Sequence, residues 1–336
     1  MNATQHSERI RGGIAALSAG FERLCIGAGQ DVVIAFSGGA DSLALVALAG
    51  LVPRRLRPGV EAIHVDHGLR PESASDADAA ISLAASLGVS CRVVRMEAAG
   101  RGGLEAIARR GRYEALARVA AGRTILTAHT ADDQAETVLY RLAKGTGIRG
   151  LAGIRPQVRL GGGVVARPLL EAERSLLRGV VEDLGLVPVE DPSNQSREFV
   201  RNRLRHDVLP ALEEAIPGAS GRLARAARLA AEDERYLEHE AERARARIAR
   251  GDGCDARELV RLPEALRGRI VRRLVSDAGG RIPAADEVAR IVSIAGRGGE
   301  LHLARGVLVE SRGGILTIRP GPTGRDSGNR AGLPRI

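Results

Sequence analysis

The segment VVIAFSGGADSLALVALAG, residues 32–50, constrains the fold more tightly than any other stretch of the chain. Its apolar, β-branched start reads as a buried strand and its end as a helix. Ser37, Gly38, Gly39, Ala40, Asp41 and Ser42 leave room between them for nothing but a tight turn. Two readings of that turn stand side by side. Glycines let backbone N–H groups approach a phosphate, and the following helix offers its positive N-terminus. Alternatively, Asp41 or Ser42 merely caps the helix. The lysine of a Walker loop is missing, since no GxxxxGK[ST] string occurs in the chain.

The alternation continues downstream. GVEAIHVD, VSCRVVRM and RTILTAH read as strands, and ESASDADAAISLAASLG, GLEAIARRGRYEALARVAAG and DDQAETVLYRLAKG as helices ending in glycine. Strands separated by helices of this length pair in parallel through right-handed crossovers. The expected fold class is α/β, with a Rossmann-like parallel sheet whose ligands bind beyond the carboxyl ends of the strands. A Pro/Gly/Ser break at EEAIPGASGR ends the pattern. We place a first domain at 1–215 and a second, smaller, mainly helical one at 216–320. The second holds helices over 222–250, 257–278 and 284–296 and two strands, ELHLARGVLVE and GGILTIR. Residues 321–336 are expected to form a disordered tail.

The formal charge of +9 over 336 residues favours a polyanionic partner such as nucleic acid. Nearly every cation is arginine, Lys144 being the only lysine, so compositional bias explains part of that charge. Aromatic residues make up 2% with no Trp, which argues against a protein that grips bases mainly by stacking. Cys25, Cys91 and Cys254 lie far apart, against a disulfide framework or a metal site of neighbouring thiolates. No apolar run reaches the length of a membrane span, and the start MNATQHSERIRGG has no signal-peptide core. A cytoplasmic protein is expected.

The strand–SGGADS–helix unit resembles the PP-loop of the N-type ATP pyrophosphatases, which split ATP between the α- and β-phosphates. In that superfamily the loop holds the departing pyrophosphate. Backbone amides, Ser37, Ser42 and Mg²⁺ can do this without a loop lysine. HVDHGLRPES, TAHTADDQAETVLYRLAKGTGIRGLAGI and EDPSNQSREFVRNRLRHDVLP, with ARRGRYEAL and RPLL at their expected places, are similar to the tRNA(Ile)-lysidine synthases over roughly residues 30–215. The resemblance implies a PP-loop ATPase domain followed by a smaller tRNA-binding domain, with a further C-terminal domain of longer members absent or truncated. It implies ATP as co-substrate, Mg²⁺ as cofactor, and free L-lysine and a CAU-anticodon tRNA(Ile) as partners. The wobble cytidine would be adenylated and then joined to lysine, so that the tRNA decodes AUA. Monomer and homodimer are both left open.

Asp133 and Glu136 lie three apart at a helix start and share a face. Acids in a first turn also favour the macrodipole, and Thr130 with Asp133 fits a capping box. The implied chemistry asks for acids, because the lysine ammonium must lose a proton before it attacks. Asp133 is therefore assigned as a catalytic acid/base or metal group and Glu136 as the lysine partner, with the roles open to exchange. Asp41 beside a triphosphate is read as a Mg²⁺ ligand. Among the arginines, Arg112 matches the family pattern as a phosphate contact, with Arg109 beside it. Arg201, Asn202 and Arg205 are assigned to the nucleotide or tRNA, following a loop with Asp191, Ser193 and Asn194, whereas Arg203 and His206 are expected to be exposed. His64, Asp66 and His67 are read as sheet-edge residues rather than metal ligands. A tRNA 2-thiolase shares the ATP chemistry but generally needs paired cysteines. An amide-forming PP-loop ligase fits the basic charge less well, and a non-enzymatic RNA-binding module leaves the ATP loop unused.

Overall fold

A computed structural model of the chain describes residues 7–66, 68, 73–96, 104–160, 163–189, 197, 200–304 and 306–321, without the side chains of 74 and 104–109. His67, Asp191, Ser193, Asn194, the side chain of Arg109 and nearly all of the 321–336 tail lie outside that description. The chain divides into two compact units, Met1–Ala231 and Glu232–Ile336. The helix Ala219–Ile248 begins after the 215/216 break and runs through residues 231 and 232.

The first unit opens with helix α1 (Glu8–Arg23), capped by the Ser7 hydroxyl, which accepts from the Ile10 N–H at 3.1 Å. Strand β1 (Asp31–Ala35) leads through the glycine turn into α2 (Ala40–Leu51). Then follow β2 (Gly59–Asp66), α3 (Ser73–Ser86), β3 (Cys91–Arg95), α4 (Leu104–Ala120), β4 (Thr124–Leu126) and α5 (Ala131–Ala143). A short α6 (Ile148–Leu151), the hairpin strands β5 (Gln157–Leu160) and β6 (Gly163–Ala166), and α7 (Arg174–Asp183) complete the α/β pattern. The sheet order is β3-β2-β1-β4-β6-β5, parallel throughout except for the edge strand β5. From β1 the chain runs outward through β2 and β3 on one side and returns to β4 on the other, so the switch point of the sheet lies between β1 and β4.

Both faces of the sheet are covered, which is why its strands are apolar without alternation. Val32 and Ile34 of β1 pack with Leu17, Phe21, Leu45 and Leu177 on one face, and Val33 packs with Ile63, Leu116 and Ile125 on the other. The glycines of α1 serve this packing. A Cβ at Gly13 would stand 2.9 Å from Val180 Cγ2 and 3.0 Å from Leu48 Cδ2, and one at Gly20 would overlap the Pro168 carbonyl. Because that obstacle is backbone, Gly20→Ala is expected to destabilise the first unit by about 1–3 kcal/mol, the scale of core overpacking. A urea melt of the full chain measures this, and an unchanged midpoint would mean that α1 slides to accommodate the methyl.

Beyond α7, α8 (Val200–Arg203), a π-helical turn at Leu204–Val208 and α9 (Leu209–Ala215) run on continuously. In the π turn the Leu209 N–H donates to the Leu204 carbonyl, five residues back. Pro210, which has no N–H, stands in the first turn of α9.

The 30-residue helix Ala219–Ile248 is α10. The second unit adds β7 (Ala249–Arg250), β8 (Gly253–Asp255), α11 (Ala256–Arg261), α12 (Glu264–Asp277), α13 (Ala285–Arg297), β9 (Gly299–Leu303), β10 (Val307–Arg312) and β11 (Ile315–Pro320). Leu259, Ile270, Val271, Ile291, Val309 and Leu316 form its core under an antiparallel sheet ordered β7-β8-β11-β10-β9. ELHLARGVLVE, expected as one strand, is a hairpin of β9 and β10, with Val307 opposite Leu303. Among the described residues no helix is long and apolar enough to cross a membrane.

Candidate active site

Three neighbouring strands deliver the site. β1 leads to Asp41, β4 to Asp133 and Glu136, and β6 to Arg174, all beyond the carboxyl ends of the sheet. The glycine turn is held from within. Gly38 takes a φ of +79°, the left-handed region that favours glycine. The Ser42 hydroxyl donates to the Gly39 carbonyl at 2.9 Å and lies 3.2 Å from the Ser37 hydroxyl. The Val189 N–H donates to the Gly38 carbonyl at 3.0 Å, tying the segment after α7 onto the loop. Helix α2 begins at Ala40 with Gly39 as its N-cap and no side chain on the cap. Asp41 is thus free of capping, and the plain-turn reading loses the role it gave that residue.

The Asp41 carboxylate meets arginines on one oxygen. Oδ2 accepts from Arg174 Nε at 3.2 Å and stands 4.0 Å from Arg205 Nη2, while Oδ1 is buried without a hydrogen-bond partner. Burial pushes this carboxyl above its ordinary value, with Arg174 pulling the other way.

Asp133 is both cap and ion-pair partner. Its Oδ2 accepts from the Thr130 N–H at 2.9 Å and the Thr130 hydroxyl at 3.0 Å, completing the capping box of α5. Its Oδ1 accepts from Arg174 Nη2 at 2.9 Å and Arg201 Nη2 at 3.2 Å. Burial would raise this carboxyl, but Arg174, His129, Arg201 and the Thr130 N–H outweigh it and hold it at about 2. A carboxylate held so low is a poor proton acceptor. Glu136 is 1% exposed and surrounded by three guanidinium groups. Arg201 Nε donates to its Oε2 at 2.8 Å, and Arg174 Nη1 and Arg205 Nε each stand 3.5 Å from Oε1.

The residues marked in the sequence divide accordingly. Asp41, Asp133, Glu136, Arg201 and Arg205 come together, the two arginines sharing a face despite the π turn. Asn202 is half-buried on α8, and Arg203 and His206 are exposed as expected. Arg112 is exposed on α4, on the side of β2, where it and burial depress the pKa of His64; burial is the larger cause. His64, buried within β2, has its Nδ1 3.1 Å from the Phe36 carbonyl. The residue missed is Arg174, 7% exposed, whose side chain reaches Asp41, Asp133 and Glu136 and whose N–H donates to Asp132 Oδ2 at 2.8 Å. Among the described residues no three His, Cys, Asp or Glu side chains group so as to hold a metal ion. Cys254 is buried in the second unit, and burial pushes its thiol up to about 11, so it stays protonated.

The family model of the PP-loop domain matches residues 18–212. The tRNA(Ile)-lysidine synthase of Salinispora tropica is 42% identical over 304 residues, covering 86% of this chain and 91% of the relative. Those of Nocardia farcinica and Mycolicibacterium paratuberculosis are 45% and 41% identical, covering 76% and 84% of this chain and 79% and 84% of the relatives. Among solved structures, the U34-tRNA thiolase NcsA of Methanococcus maripaludis, with its [4Fe-4S] cluster, superposes with a TM-score of 0.57. It covers 69% of this chain and 80% of its own, and at 20% identity the likeness is one of fold.

Proposed function

Since the chain belongs to the PP-loop family and, within it, to the tRNA(Ile)-lysidine synthases, we propose that it joins free lysine to C2 of the wobble cytidine of a CAU-anticodon isoleucine tRNA. In the first half-reaction the C2 oxygen attacks the α-phosphate of ATP, the bond to the β-phosphate breaks and pyrophosphate leaves. In the second, the ε-amine of lysine attacks C2, gives up its proton, and AMP departs with the former C2 oxygen. The enzyme then works in the cytoplasm, beside its substrates.

The observation that carries this reading is the meeting of the loop's Asp41 with Asp133 and Glu136 on one guanidinium at the switch point of the sheet. The amides of Gly38, Gly39 and Ala40 and the hydroxyls of Ser37 and Ser42 take the pyrophosphate. Mg²⁺ fits Asp41, whose Oδ1 is buried without a partner, because this ion is commonly held by one or two carboxylates and the substrate's phosphates. Bound there, it would neutralise charge on the leaving group. Glu136 receives the lysine ammonium, and Asp133 fixes the arginines that face the nucleotide. Arg112 contacts phosphate, and Arg201, Asn202 and Arg205 face the nucleotide and the anticodon.

The test supplies ATP, radiolabelled lysine and a CAU-anticodon isoleucine tRNA transcript. Label is expected in the RNA, with pyrophosphate released only when tRNA is present and AMP only when both lysine and tRNA are present. ADP and phosphate as products, or equal labelling of a tRNA whose wobble base is uridine, would sink the proposal.

A further inference from the structure

Arg174 reaches three acids marked in the sequence, Asp41, Asp133 and Glu136. Its N–H is anchored to Asp132 Oδ2 at 2.8 Å, its side chain is 7% exposed, and its fork points at Asp41 and Asp133 at once. Both cations near Asp41 lie on its Oδ2, Arg174 Nε at 3.2 Å and Arg205 Nη2 at 4.0 Å, and neither lies on the buried Oδ1. A planar carboxylate clamped at one oxygen has the direction of the other fixed. We propose that Arg174 is a positioning residue that aims Asp41 Oδ1 at the cation accompanying ATP, an inference that rests on the Mg²⁺ assignment above.

The proposal separates cation binding from nucleotide binding. The Arg174 donors are turned to carboxylates, so its loss should not weaken ATP held without metal. It should instead remove the advantage that Mg²⁺ confers. Calorimetric titration of the full chain with ATP, in Mg²⁺ and in EDTA, reads both. Arg174→Met leaves buried carboxylates uncompensated and can unfold the protein. Arg174→Lys retains the charge but lacks the rigid fork that serves two carboxylates. In either variant the Mg²⁺ enhancement of ATP affinity is expected to fall roughly tenfold, the scale of one hydrogen bond to a charged group, with the EDTA affinity unchanged. Asp41→Asn should show the same loss, and Asp41→Asn combined with Arg174→Lys no more than either alone. An Arg174→Lys protein that melts like the wild type and keeps the full enhancement overturns the role of Arg174 while leaving the Mg²⁺ assignment intact. Equal weakening in Mg²⁺ and EDTA also overturns it, pointing to a direct phosphate contact. Absence of any enhancement in the wild type overturns the Mg²⁺ assignment and the Arg174 proposal together.

Discussion

Asp41→Asn is expected to lower the rate of tRNA adenylation by two to three decades, about 2.7–4 kcal/mol, without destabilising the protein. The rate loss follows from removing charge in a preorganised polar site beside the departing pyrophosphate. The stability side follows from the sign of the pKa shift. Burial raises the Asp41 carboxyl above its ordinary value, so the folded state holds that proton more tightly than the unfolded chain does. Folding is therefore favoured when the group is neutral and loses ground as the pH rises through its folded pKa. Asn is permanently neutral, and at neutral pH the variant should melt at or above the wild-type temperature. A helix-capping Asp predicts the reverse, lower stability with adenylation retained. Pyrophosphate release at saturating tRNA, measured beside a thermal melt, decides between them.

The glycine turn and the α5 acids were legible because each is a local pattern. A strand, a glycine turn and a helix within nineteen residues leave few folds open, and Thr130 with Asp133 announces the helix start that the capping box confirms. Arg174 was not legible. In EAERSLLRG it reads as one polar residue in the first turn of an ordinary amphipathic helix, and its partner Asp41 lies 133 positions away in sequence. Nothing local reports such a contact; only the strand order β1-β4-β6 creates it. Helix α1 was unread for a related reason. Its glycines lower helix propensity in isolation, and their purpose is the close approach of Val180, Leu48 and the Pro168 carbonyl. The β5–β6 hairpin and the split of ELHLARGVLVE into β9 and β10 turn on tight reversals within short segments, where periodicity is weakest.

Glu136→Gln and Asp133→Asn are expected to fail at different half-reactions and to differ in stability. Glu136 holds three guanidinium groups through its two oxygens, and the lysine ammonium needs the same negative charge. Gln retains shape and hydrogen-bonding capacity but not that charge. It should raise the lysine KM or block transfer while adenylated tRNA still forms. Asp133 fastens Arg174 and Arg201 through one oxygen and the start of α5 through the other. Asn should loosen the arginines facing the nucleotide, so that adenylation itself is lost and no intermediate accumulates at any lysine concentration. Its carboxyl is held at about 2, below the ordinary 3.8, so its bonds stabilise the fold above about pH 4 and are lost as the pH falls toward 2. The Asn variant should consequently melt lower than the wild type at pH 7, with the difference closing in acid. Single-turnover reactions with α-labelled ATP, run without lysine and then chased with it, read the two half-reactions separately. Arrest of both variants at the same step would refute the division of roles. If both kept full activity and only melted lower, α5 capping and ion pairing would be the whole purpose of the two acids.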